Sequence, residues 1–281
     1  MIIDLIDGTY ELFRHFYGLR RFTKGEDPPF GAVAGVLNGT LQLLENRATH
    51  VGVATDHVIE SFRNALWPGY KTGEGIEPAL RAQFQPLEDG LAAMGVVVWP
   101  MVDLEADDAL ASAAHLASQD TAVQKVLIWT PDKDLAQCVR GDRVVQVDRR
   151  GNTIRTASDV RQKFGVPPEL IPDFLALVGD AADGYPGIRG IGAVSAARLL
   201  NEHGAIESFP SSVLGEQLPD ALLFKQLATL RTDATLFRDA RSLRWTGPTP
   251  SFAALTERIG APKLLQRALA AQSSINAREA S

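Results

Sequence analysis

Cysteine is almost missing from this chain. Cys138 is the only one in 281 residues, so no intrachain disulfide can form. That usage fits a reducing compartment, and a cytoplasmic protein is expected. No apolar run approaches the length of a membrane span. The opening Met1-Ile2-Ile3-Asp4-Leu5-Ile6-Asp7 carries acids and no basic stretch, so it is not read as a signal peptide. His15, His50, His57, His115 and His203 show no metal-ligand spacing, and no role is assigned to them. Net positive charge is missing too: the formal balance is −6. Taken alone, this weighs mildly against a nucleic-acid binder. Net charge bears on association and solubility, however, and says little about fold. With the acids discussed below set aside, the rest of the chain is mildly basic.

Hydrophobic residues make up 45% of the chain, enough for one large domain or two small ones packed together. The first half alternates short apolar runs with helical patterns. Residues 2–6, 51–54, 96–99 and 126–130 are apolar and rich in β-branched side chains, as strands buried on both faces are. Residues 32–44, 79–94 and 106–116 read as helices. This order predicts an α/β fold, a parallel sheet flanked by helices. Residues 68–78, polar and rich in glycine and proline, read as a mobile loop or short arch. From about Ala157 the pattern is mainly helical. A soft boundary falls near residue 160, dividing the chain into 1–160 and 161–281. Residues 252–271 look amphipathic and are expected to dock on the body. The last few residues are expected to fray.

The strongest signal is where acids fall relative to the strands. Asp7 and Asp56 directly follow the first two. Glu105, Asp107 and Asp108 follow the third after a short connection, and Asp132 and Asp134 follow the fourth. In an open parallel sheet the carboxyl ends of the strands line one edge, where ligands bind. Four segments therefore deliver acids to one rim. Ionised carboxylates so placed repel one another unless positive charge is supplied. Hard divalent cations such as Mg²⁺ or Mn²⁺ supply it through oxygen ligands. Two such ions can clamp a phosphodiester, which makes phosphoryl-transfer chemistry the natural reading. Each acid singly has a plainer explanation, as a turn residue or helix N-cap. Asp4 lies inside its strand pattern and is read as structural. Asp180 and Asp183, in the later helical part, are spaced to share a helical face and to reach back over the rim.

Gly187-Ile188-Arg189-Gly190-Ile191-Gly192 precedes a helical run containing Ser195 and Arg198. Glycines allow close backbone approach, and a helix N-terminus presents free N–H groups. Together they suit a phosphate contact that reads no bases. An ordinary structural turn is the alternative, and turn carbonyls could also hold a monovalent cation such as K⁺.

In order along the chain stand Asp7-Gly8 with Arg14, Ser61-Phe62-Arg63, Tyr70-Lys71, Glu105-Ala106-Asp107-Asp108, Thr130-Pro131-Asp132-Lys133-Asp134-Leu135, and Gly179-Asp180-Ala181-Ala182-Asp183-Gly184-Tyr185-Pro186-Gly187. This set resembles the flap endonuclease and 5′–3′ exonuclease superfamily, in particular the 5′ nuclease domain of bacterial DNA polymerase I. The resemblance runs from residue 1 to about 240. It implies a PIN-like α/β nuclease core in 1–160. It places a helix–three-turn–helix duplex-binding region with C-terminal helices in 161–281. It implies two-metal hydrolysis of DNA phosphodiesters in replication and repair, on branched or 5′-ended duplex DNA or an RNA–DNA hybrid, by a monomer.

By the same resemblance, Asp7, Glu105, Asp107, Asp108, Asp132, Asp134 and Asp183 are metal-site acids. Asp56 and Asp180 are ligands or close outer partners. Lys71 contacts the scissile phosphate from the base of the arch. Arg14 and Arg63 lie near the phosphate path, and Gly187, Gly190, Gly192, Ser195 and Arg198 meet the duplex. Lys71 and Arg14 read from composition alone are solvated surface charges.

The chain departs from the family pattern in three places. Gly184 stands where Asn is common, Val194 where Lys is frequent, and Glu74 where an Arg often follows the Tyr-Lys pair. No polymerase region follows, so a free-standing enzyme is expected. Two alternatives remain open at this level: a PIN-type ribonuclease using the same acid rim, and a structure-specific DNA-binding protein without catalysis.

Overall fold

In the computed structural model, which describes residues 1–23, 27–149, 151 and 153–279, the core is a six-stranded sheet. Its strands are β1 (Ile2–Asp7), β2 (His50–Asp56), β3 (Val97–Met101), β4 (Lys125–Trp129), β5 (Val144–Asp148) and β6 (Thr153–Arg155), in the order β3-β2-β1-β4-β5-β6. All neighbours are parallel except the β5–β6 pair. The α/β expectation holds. The four strands read from sequence are present, shifted by a residue or two. Two more, β5 and β6, were not legible, because Val144–Asp148 is short and carries Gln146 at its centre.

Strand alternation sorts the core into two layers. Ile3 and Leu5 face the helix Ala106–Gln119, in one cluster with Ala109, Ala113 and Val126. Ile6, Val51 and Val53 face the opposite layer, built on the helices Gly8–Thr23, Gly31–Glu45 and Phe84–Ala93. The helix Gly8–Thr23 is not obvious in the sequence because a glycine opens it and charges interrupt its apolar face. The expected helix over 79–94 is broken into Pro78–Arg81 and Phe84–Ala93.

The later helices form a third cluster. Phe174, Leu177, Leu200, Phe224 and Leu227 pack with Ala136 and Val139, which follow β4, and with Tyr70. This seats the helical module against the carboxyl edge of the sheet. The helices Phe252–Arg258 and Lys263–Glu279 do not extend that module. Phe252, Leu255, Leu264, Ala268 and Ile275 pack into the layer of Ile6, Val51 and Val53, beside Leu37 and Leu41. Arg267 ties this end down with a forked contact to Glu45 at 2.9 and 2.8 Å. Residues 280 and 281 lie outside the described residues.

Asp4 is buried in β1 and accepts from Trp129 Nε1 at 2.8 Å. Burial pushes its carboxyl up to about 6, against the pull of the Trp129 N–H and the Arg149 charge. A carboxyl whose folded value is raised stabilises the protein below its unfolded value, and that stability is lost as pH rises through the folded one. Asp4→Asn cannot ionise. Its stability relative to wild type should therefore grow between pH 4 and 7 by on the order of 1–3 kcal/mol. Urea unfolding across that range checks this; a difference that does not change with pH would contradict it.

Candidate metal and phosphodiester site

Asp7 ends β1 in parallel register with Ala54, and Asp56 ends β2 two residues further on. Asp107 opens the helix Ala106–Gln119, and Asp132 follows β4. With Lys71, Thr9, Tyr10 and Ile76 these acids line one open cleft of about 340 Å³. Two of them also cap backbone. Asp7 accepts the Tyr10 N–H at 2.8 Å and the Thr130 hydroxyl at 3.0 Å. Asp56 accepts the Ala106 N–H at 2.8 Å, which fixes the start of the helix that carries Asp107. The cap reading and the ligand reading are therefore not exclusive. A carboxylate oxygen has two lone pairs, and one remains after capping.

Asp134, Asp180 and Asp183 form a second group, all buried, with carboxylate oxygens within 4.8 Å of one another. Asp134 lies in the turn after β4, and the other two follow the helix Ile171–Val178. The docking of the helical module on the sheet edge brings them together.

Crowding shows in the proton affinities. Burial, together with Asp56 and Asp132, pushes Asp7 up to about 7 despite its hydrogen bonds. Burial, Asp132 and Asp7 raise Asp107 well above the usual carboxylate range. Burial, Asp132 and Asp183 do the same to Asp134. Asp134 Oδ1 is buried without a hydrogen-bond donor. A hard divalent cation answers each of these features, since it needs oxygen donors and removes the repulsion. The residues present fit such ions.

Lys71 lies between the groups. Its Nζ is 2.7 Å from Glu105 Oε2 and 3.0 Å from Asp183 Oδ1. Burial opposes its charge, but Glu105 and Asp183 outweigh burial and hold the ammonium above the usual lysine range. Burial likewise opposes charge on Glu105, yet Lys71 and Arg63 keep that carboxyl below its ordinary value. The segment around Lys71 is anchored. The Lys71 N–H donates to Asp183 O at 3.0 Å, Asn64 Nδ2 donates to Lys71 O at 3.0 Å, and Trp67 Nε1 donates to Gly184 O at 3.0 Å. Gly184, at φ +84°, lies so close to the Gly69 carbonyl that a Cβ would stand 1.9 Å from its oxygen. Glycine at this position permits the contact. Glu74 is exposed.

Two expected site residues need correction. Arg63, expected near the phosphate path, is 1% exposed. Its guanidinium forks onto Asp108 at 2.7 and 2.8 Å and also reaches Glu105 at 3.0 Å, Leu227 O at 2.8 Å and Thr229 O at 3.1 Å. It cannot touch a phosphate without leaving the core. Asp108, expected as a metal ligand, is fully buried against Arg63 and accepts the Glu105 and Arg231 N–H groups at 3.0 and 2.8 Å. Its oxygens are taken.

Arg14 is partly exposed, paired to Glu11, and lines a separate depression with Trp129, Thr130 and Arg149 that meets the acid cleft at Tyr10. Gly187 lies against the Val178 and Gly179 backbone and closes a turn at φ +73°. Gly190 and Gly192 face open space ahead of the helix Ala193–His203. Ser195 Oγ is engaged with Gly192, accepting its N–H at 3.0 Å, and Arg198 is exposed.

Three supporting residues escaped the sequence reading. Thr130 holds Asp7, the buried Gln146 donates to the Asp132 carbonyl at 2.5 Å, and Lys133 pairs with Asp180. Thr130 and Lys133 stood in the run Thr130–Leu135 without an assigned role, and Gln146 left no trace in sequence.

Arg63→Met leaves Asp108 buried without its cation. It should lower stability by about 3–5 kcal/mol, as measured by urea unfolding. Replacing Asp108 with Leu in the same chain should restore part of the loss. A loss under about 1 kcal/mol would return Arg63 to a surface role.

The chain matches the family model of the 5′–3′ exonuclease N-terminal resolvase-like domain over residues 3–165. It matches the 5′–3′ exonuclease C-terminal SAM fold over residues 166–251. It is 35% identical over 252 residues to DNA polymerase I of Pseudomonas aeruginosa, covering 83% of this chain but only 27% of that protein. It is 30% identical over 265 residues to a 5′–3′ exonuclease of Buchnera aphidicola subsp. Baizongia pistaciae, covering 87% of this chain and 86% of the relative. The fold is also that of a bacteriophage T5 flap endonuclease solved with DNA and metal ions. That likeness has a TM-score of 0.61 and 19% identity, and covers 97% of this chain and 100% of the other. On these matches the chain belongs to the 5′–3′ exonuclease family.

Proposed function

We propose that this protein is a divalent-metal-dependent nuclease that hydrolyses DNA phosphodiesters near 5′ ends or flap junctions, in replication and repair. The observation that carries this is the convergence of Asp7, Asp56, Asp107 and Asp132 in one open cleft, with Lys71 on its wall. The family membership and the DNA and metal ions bound to the T5 flap endonuclease support it.

Asp7, Asp56, Asp107 and Asp132 would hold one ion, and Asp134, Asp180 and Asp183 a second, with Mg²⁺ or Mn²⁺ suited to all-oxygen donors. When bound, such ions supply charge for the scissile phosphate and an activated water. The chain's own residues do the rest. Thr130 and the Tyr10 N–H orient Asp7, and the Ala106 N–H orients Asp56. Glu105, held by Arg63, Ser61 and Lys71, positions the Lys71 ammonium beside the cleft, where it meets negative charge developing on a phosphate oxygen. The exposed surface at Gly190, Gly192 and Arg198 offers a base-independent contact to duplex backbone.

A labelled 5′-flap duplex, with blunt duplex and single-stranded RNA as controls, tests the reading. Cleavage should require Mg²⁺ or Mn²⁺ and stop with EDTA. Asp132→Asn should lose at least about 100-fold in rate while keeping duplex affinity. Undiminished cutting after exhaustive chelation would remove the metal reading, and preference for the RNA would indicate a PIN-type ribonuclease.

Lys71→Ala separates a transition-state role from a phosphate clamp. Single-turnover cleavage at saturating enzyme should fall by about 100-fold or more, with duplex affinity little changed. Equal single-turnover rates would reduce Lys71 to a counter-ion of Glu105.

A further inference from the structure

The second acid group already contains a cation supplied by the chain. Lys133 stands between Asp132 and Asp134, at the start of the short turn Asp134–Cys138. Its ammonium is in direct contact with Asp180 and lies 3.7 Å from Asp134 Oδ1. Those two carboxylates, with Asp183, are the ones whose oxygens converge within 4.8 Å. Asp134 Oδ1 is buried and lacks a hydrogen-bond donor, so a ligand is wanted there that the protein does not itself supply.

Three buried carboxylates at this range repel strongly unless positive charge sits among them. In the metal-free protein Lys133 supplies that charge from one side and Lys71, at Asp183, from the other. The two positions differ from that of Arg63. Arg63 is locked at 1% exposure. The Lys133 side chain is 35% exposed on a flexible stem, and its ammonium can leave without unpacking a core.

We infer that Lys133 is a resident counter-cation of the Asp134–Asp180–Asp183 group, occupying the place of a divalent ion and setting the affinity with which that ion enters. The inference rests on the metal reading proposed above. An entering ion must displace the ammonium or bind beside it, and both weaken its binding. The cleft of Asp7, Asp56, Asp107 and Asp132 therefore fills first, and the second group only at higher concentration.

Mn²⁺ titration of the full chain, by calorimetry and by the electron paramagnetic resonance of free Mn²⁺, tests this in wild type, Lys133→Met and Lys133→Arg. Methionine keeps the stem and removes the charge. It should tighten the weaker class of sites by about tenfold or more, whereas arginine should leave it near wild type. Without metal, Lys133→Met should unfold at a lower temperature than wild type, and should gain more from saturating Mn²⁺. An unchanged or weakened second class in Lys133→Met would overturn the inference and leave Lys133 an ordinary ion pair, whatever its effect on DNA binding. Absence of Mn²⁺ binding in all three proteins would overturn the metal reading as well.

Discussion

Carboxylate crowding is the constraint on which the rest of the structure depends. Acids from β1, β2, β4, the helix after β3 and the helical module meet at one edge of the sheet, mostly out of water. Buried like charges would either protonate or force the edge open. The chain answers with three internal cations. Arg63 is fixed in the core on Asp108 and Glu105, Lys71 bridges Glu105 and Asp183, and Lys133 meets Asp180 and Asp134. Exposure rises along that series, from a locked strut to lysines that reach solvent. Around Asp7, Asp56, Asp107 and Asp132 the nearby cation is Lys71 on the cleft wall, and this is the group left first to ions from outside.

The same edge explains how the helical module is held. Tyr70 joins the module's hydrophobic core, and Lys71, the next residue, hydrogen-bonds through its backbone to Asp183. Gly184 lies close against the Gly69 carbonyl, where a side chain would not fit. Packing of the module and placement of the lysine are thus one event.

Much of this was legible in sequence because parallel strands are short apolar runs and their carboxyl ends share one edge. Asp7, Asp56, Asp107 and Asp132 could be placed at that edge from spacing alone. Asp108 could not be told from Asp107. Adjacent residues on a helix point about 100° apart, and only the packing shows that Asp108 faces Arg63 and the core while Asp107 faces the cleft. Arg63 misled for a related reason: arginine is ordinarily exposed, and nothing local announces a buried partner 45 residues away. The strand Val144–Asp148 hid behind Gln146, a buried polar residue whose amide is satisfied by the Asp132 carbonyl. The C-terminal helices showed an amphipathic pattern, but their docking partner, the helix Gly31–Glu45, is set by tertiary packing.

The most direct test of the central claim, that the sheet edge is a divalent-metal site with its own cations arranged around it, is anomalous diffraction from crystals equilibrated with Mn²⁺. The account predicts one anomalous peak among the carboxylates of Asp7, Asp56, Asp107 and Asp132. It predicts a second at higher Mn²⁺ among Asp134, Asp180 and Asp183, with Lys133 displaced by the ion or beside it and Arg63 unmoved on Asp108. Crystals with full Mn²⁺ exchange but no peak at either group, or a peak coordinated by Asp108, would contradict it.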